Sequence, residues 1–172
     1  NTGGGVTRIW GGTLVLSNTM ALQASVVDLN SADTATLAFG NISPASFTLG
    51  GLSGTRGLTL NNQAGAAVAL SLGGHNKSAT GSAALSGLGS LTKIGSGTLH
   101  LAGANSYTGS TIITAGELAI DGSITSSVAV ASGATLSGIG TITGDVDVVG
   151  TIAPGNSPGT LTINGTLVLD GA

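Results

Sequence analysis

The sequence predicts an all-β solenoid, in which short strands bend around a coil and successive coils stack. Three observations point there. Apolar residues alternate with period two, the strand signature, and no helical periodicity replaces it. Gly, Ser or Asn interrupts the runs about every five to seven residues, too often for a sandwich with turns about every 8–12. Thr-Leu or Glu-Leu starts recur at Thr13, Thr36, Thr59, Thr98, Glu117, Thr135 and Thr160. Their spacings cluster at about 18–23 residues, with one double gap after Thr59, and suit about seven or eight coils. At about 4.8 Å per coil the rod would be about 35–40 Å long.

The strands are expected in this order. Thr13-Leu14-Val15-Leu16, Val26-Val27-Asp28-Leu29, Thr36-Leu37-Ala38-Phe39 and Phe47-Thr48-Leu49 come first, then Leu58-Thr59-Leu60 and Val68-Ala69-Leu70-Ser71-Leu72. Three segments follow close together: 98–101 (Thr-Leu-His-Leu), 110–113 (Ser-Thr-Ile-Ile) and 117–120 (Glu-Leu-Ala-Ile). They leave no room for a helix between them and are expected to make one coil. Val128-Ala129-Val130, Ala134-Thr135-Leu136, 139–142, Val146-Asp147-Val148, Thr160-Leu161-Thr162-Ile163 and Thr166-Leu167-Val168-Leu169 complete the set. One coil cannot bury its own apolar face, so Leu should stack on Leu along the axis. Gly and Asn should take the left-handed corner conformations that bulkier residues resist.

Composition agrees and excludes several functions. Of 172 residues 41% are hydrophobic, so a core can form, but only 2% are aromatic and 6% charged. The four bases, Arg8, Arg56, Lys77 and Lys93, are scattered among seven acids, which argues against nucleic acid and anionic membrane surfaces. The chain has no cysteine, hence no disulfide and no thiolate chemistry. That also suits passage through an oxidising compartment. No apolar run approaches the about 18 residues of a membrane-spanning helix. Asn1-Thr2-Gly3-Gly4-Gly5 does not read as a signal peptide, and the pattern is expected to be a piece of a longer protein.

One stretch is far more specific than the rest. Leu91, Thr92, Lys93, Gly95, Gly97, Thr98, Leu99, Leu101, Gly103, Asn105, Tyr107, Thr108, Gly109, Thr111 and Ile113, closed by Gly116 and Leu118, resemble the passenger-associated transport repeat of bacterial autotransporters. The core motif is expected at 91–120 within a single solenoid segment, 1–172. Gly12-Thr13-Leu14-Val15-Leu16, Gly50-Gly51-Leu52-Ser53-Gly54 and residues 152–161 resemble its usual flanks. The resemblance implies a right-handed parallel β-helix passenger of type V secretion. It would reach the cell surface or medium through the periplasm and a C-terminal β-barrel translocator. It implies a role in export and folding rather than catalysis.

The candidate chemistry is sparse. Gly155-Asn156-Ser157-Pro158-Gly159 spells a nucleophile elbow, but strand-like residues follow it and both His75 and His100 precede it, so a rigid turn is expected. Asp145 and Asp147 share one side of a strand, where a solvated face or a weak cation site is expected. His75 and His100 are too separate for a metal pair, and His100 should point outward between Leu99 and Leu101. Tyr107 should pack over its coil, Asn105 should serve a corner or ladder, and Trp10 should cap the first coil or pack on one outside this sequence. Three sequons, at Asn41, Asn76 and Asn164, are read as chance. Within the motif Lys93, His100 and Glu117 are expected to lack partners. No catalytic, cofactor-binding or metal residue is therefore assigned, and no cofactor is expected. The expected function is a non-catalytic, secretion-promoting rod. The alternative is an adhesin or virulence module that binds host glycan or protein, or a second copy of itself. A carbohydrate-active enzyme ranks last.

Overall fold

The computed structural model describes residues 5–155 and 159–170. Among them there is no helix; parallel strands stack into a β-solenoid of about eight turns. Short β-rich segments separated by Gly and Asn can satisfy their backbone only between coils. The hydrogen bonds accordingly run from each strand to the strand one turn away.

Three faces build each turn. The first stacks Ala69–Leu72, Ser90–Lys93, Thr111–Ile113, Val128–Val130, Val146–Val148 and Leu167–Leu169. The second stacks Ala79–Gly81, Thr98–Leu101, Glu117–Ile120, Thr135–Gly138 and Thr151–Pro154. The third runs through the two-residue strands Ala104–Asn105, Ser123–Ile124, Thr141–Ile142 and Thr162–Ile163. Nearer the N-terminus the first two faces are not yet separate. Ser46–Gly54 pairs through Ser46 to Leu49 with Ala69–Leu72 and through Gly54 with Gly81. Leu22–Leu29 lies against it, with a register shift between Leu22 and Val26.

Register explains the core. On the first face, Phe47, Leu70, Leu91, Thr111, Val128 and Val146 form one inward column. Leu49, Leu72, Lys93, Ile113, Val130 and Val148 form the next. Leu99, Leu118 and Leu136 stack on the second face, and Asn105, Ile124 and Ile142 on the third. The leucines, isoleucines and valines of these columns are buried in one continuous core. Like-on-like stacking works because parallel in-register strands place equivalent side chains one coil apart, within contact range.

Some expectations change. The three segments at 98–101, 110–113 and 117–120 are not one coil. Leu99 pairs with Leu118, so the third segment begins the next turn. The corner between the first two contains a further strand, Ala104–Asn105, too short and too polar to show as an alternating run. The Thr-Leu starts do not form one column either. Thr13 pairs with Thr36, whereas Thr98, Glu117, Thr135 and Thr151 align on the second face. Thr160 lies outside any strand. The double gap after Thr59 is filled by Ala79–Gly81, whose Ala79 pairs with Leu99. Ala-Thr-Gly carries no large apolar residue, so periodicity alone misses it.

Candidate functional site

The coil begun at Leu91 differs from the others in its core. Lys93, Asn105 and Thr111 each occupy a position that neighbouring coils fill with Leu, Ile or Val, and each is buried. Burying a polar group without a partner costs about 1–3 kcal/mol, so these residues fit only where their hydrogen bonds are met. All three are.

Lys93 lies inside an apolar column and turns its ammonium toward the corner between the first two faces. Its Nζ donates to the carbonyls of Ile94 at 2.7 Å, Gly95 at 2.8 Å and Ala115 at 3.1 Å. Three acceptors meet the three N–H bonds of an ammonium, and Ala115 belongs to the next turn. Burial pulls the pKa of Lys93 down, and the charge of Glu117 partly restores it. The corner itself needs glycine. Gly95 has a φ of 70°, and a Cβ there would lie 2.2 Å from the Gly73 carbonyl oxygen one turn back.

Asn105 bridges three turns. Its Oδ1 accepts from the Leu85 N–H at 2.9 Å, while Nδ2 donates to the carbonyls of Gly103 at 2.9 Å and Ser123 at 3.1 Å. Thr111 sits in a buried hydroxyl chain, with Tyr107 Oη at 2.5 Å and Ser126 Oγ at 2.7 Å. Burial raises the pKa of the Tyr107 hydroxyl, against the lowering effect of its bonds to Thr111 and Ser126. The ring fills the interior at this corner, where its packing was expected. Leu91, Leu99, Leu101, Ile113 and Leu118 supply the apolar remainder.

Lys93, His100 and Glu117 therefore do not lack partners, contrary to the sequence expectation. His100 Nδ1–H donates to Asp121 Oδ2 at 2.8 Å on the outside of the second face. Glu117 accepts from Thr98 Oγ1 at 3.0 Å and also from Ser137 Oγ. Their partners sit about 20 residues away, one turn along the chain. Sequence adjacency hides such contacts, and only the register reveals them.

The remaining candidates are dispersed. Asp145 and Asp147 are both exposed; Asp145 Oδ1 accepts from the Thr166 N–H at 2.7 Å, tying one turn to the next. Asp121 lies on the second face, away from this pair on the first. His75 stands at the first corner, far in role from His100, with its pKa pulled down mainly by burial. Trp10 does not cap the first coil: it is 71% exposed, with the Arg8 guanidinium 4.2 Å from its ring centroid. Asn156, Ser157 and Pro158 of the elbow-like sequence lie outside the described residues. Among the described residues no three His, Asp or Glu side chains converge as metal ligands.

Comparison with known families picks out the same coil. Residues 91–120 match the passenger-associated-transport-repeat model, the same boundaries the sequence motif suggests. No curated protein and no solved structure matches the chain. The matched repeat and the stacked coils around it fit a segment of an autotransporter passenger.

Proposed function

We propose that this segment is a non-catalytic rod whose transport-repeat coil sets the register for stepwise folding during export. The full-length passenger would emerge through a C-terminal β-barrel and remain at the cell surface or be released from it. The observation that carries the proposal is the placement of Lys93, Asn105 and Thr111 in otherwise apolar columns. An all-Leu stack tolerates slippage because every rung is equivalent. Buried polar groups with partners on the flanking turns accept only one alignment.

Stacking then resists backward movement. Each added turn buries the leucines of the one before, and the chain cannot retreat without exposing them. Leu99, Leu101, Ile113 and Leu118 carry that burial in the repeat, each at most 2% exposed. Surface or secreted placement is what the repeat family implies in general, and assistance to export follows from the one-way stacking of the turns. The polar side chains of the second face tie neighbouring turns together: Ser137 donates to Glu117, and His100 Nδ1–H to Asp121.

The test is a Leu99→Ser variant of the full-length passenger. Display should fall or slow and protease sensitivity should rise, since losing a buried leucine costs about 2–5 kcal/mol. Unchanged display together with unchanged protease resistance would overturn the proposal.

A further inference from the structure

The outer side of the second face is a trough, and nothing in the folding role of the repeat requires it. Its floor runs along the rod axis through Ala119, Ser137 and Ala153, which are in register across three turns. Ala119 is only 3% exposed and Ser137 only 7%, although both point away from the core column. The walls that cover them stand on either side. Glu117 rises on one; Asp121 and Ile139 rise on the other, with His100 closing one end.

We infer that this trough binds a neutral glycan chain lying along the rod axis. The polar walls are already oriented. Glu117 is fixed by Thr98 and Ser137, and Asp121 by His100 Nδ1–H, which leaves His100 Nε2 and the second Asp121 oxygen for hydroxyl groups. In its neutral form Nε2 accepts, and the carboxylate accepts, so a polyol supplies the missing donors. Ile139, 60% exposed, and the exposed Ala153 offer apolar surface to the C–H side of a sugar ring.

Other ligand classes fit less well. Two carboxylates and no Lys or Arg line the trough, which repels sulfated or uronate polymers. The central strands pair with coils on both sides, so no edge is open there for a peptide to add a strand. Among the described residues that line the trough there is no aromatic side chain to anchor a peptide. The site depends on display only for meeting its ligand, not for binding it.

The test is an amide NMR titration of the purified chain with neutral hexasaccharides of glucose and of N-acetylglucosamine. Hexagalacturonate and oligolysine serve as charged comparisons. At least one neutral hexasaccharide should bind in the millimolar range or better, with shifts confined to strands of the second face around the trough. Ala119→Leu, which fills the floor, and His100→Ala should each weaken binding at least fivefold. His100→Ala removes a partly exposed side chain and its one bond to Asp121 while leaving the core columns intact, so it decides the matter if Ala119→Leu fails to fold. Neither should reduce display of the full-length passenger, which separates this site from the folding role. No neutral hexasaccharide binding up to 10 mM, tighter binding of either charged probe, or full binding by the His100→Ala variant would overturn the inference.

Discussion

Between residues 22 and 54 each turn carries the first two faces on one continuous strand, Leu22–Leu29 or Ser46–Gly54. From Ala69 onward the same two faces are separate strands joined at a glycine-containing corner, as at Gly73, Gly95, Gly116 and Gly133, each with positive φ. The turns also tighten. Leu22 pairs with Leu49, a step of 27 residues, whereas Leu91 pairs with Thr111 after 20 and Thr111 with Val128 after 17. The means of holding the corners differ as well. The early turns use a part-buried charge cluster: Arg8 pairs with buried Asp33 at 2.8 Å, and the Arg56 guanidinium donates to the Asp33 carbonyl. The later turns use close backbone approach and buried polar caps. Crowding is nevertheless set corner by corner: a Cβ at Gly54 in the early turns or at Gly95 in the later ones would lie 2.2 Å from a carbonyl oxygen one turn back, whereas Gly12 and Gly133 face open space.

The largest test of this contrast is glycine replacement. Gly12 and Gly95 have nearly equal φ, 72° and 70°, but no atom lies within 4 Å of a Cβ at Gly12. Gly12→Ala should cost about 1–2 kcal/mol from backbone conformation alone. Gly95→Ala adds collision with the Gly73 carbonyl and should cost about 3–4 kcal/mol in urea unfolding. Equal losses would break the distinction between open and crowded corners. Next comes Lys93→Met, which leaves three corner carbonyls short of a donor and should cost about 1–3 kcal/mol. Lys77→Met, at an exposed position, should leave the unfolding midpoint unchanged.

Tyr107→Phe should cost about 1 kcal/mol by interrupting the hydroxyl chain to Thr111 and Ser126. It also has a pH signature. The folded chain holds the Tyr107 hydroxyl above its usual pKa, so the stability from keeping it neutral is present below about pH 10. That stability is lost as pH rises past about 10 toward the folded value. The substituted chain should show a shallower alkaline decline, measured by thermal midpoints from pH 8 to 11. The smallest effect belongs to Arg8→Met in the early turns. Its loss should shrink only in part in about 1 M salt, because Arg8 is partly exposed while its partner Asp33 is buried.

What the sequence reveals follows from the same contrast. Leucine columns and glycine corners repeat along the chain, so period and fold class are readable from Leu99, Leu118 and Leu136 without coordinates. Asn105 and Tyr107 declare themselves as unusual residues at a corner, although their partners do not. Lys93 is the harder case. An isolated cation normally signals a solvated face, and here it enters the core because Ile94, Gly95 and Ala115 turn their carbonyls inward. The trough is less legible still. Glu117, His100, Asp121, Ser137 and Ile139 span almost 40 positions, and nothing but the stacking register brings them to one side.

The parallel register has a mechanical consequence. Hydrogen bonds between turns point along the rod, so a pull on its two ends loads them one turn at a time rather than together. Each rupture at the tight turns frees the roughly 17–21 residues between paired positions, about 60–75 Å of extended chain. A short rod of this kind can lengthen in discrete increments under shear while its remaining turns stay intact. A sandwich of the same mass, with its strands locked side by side, would hold and then fail at once.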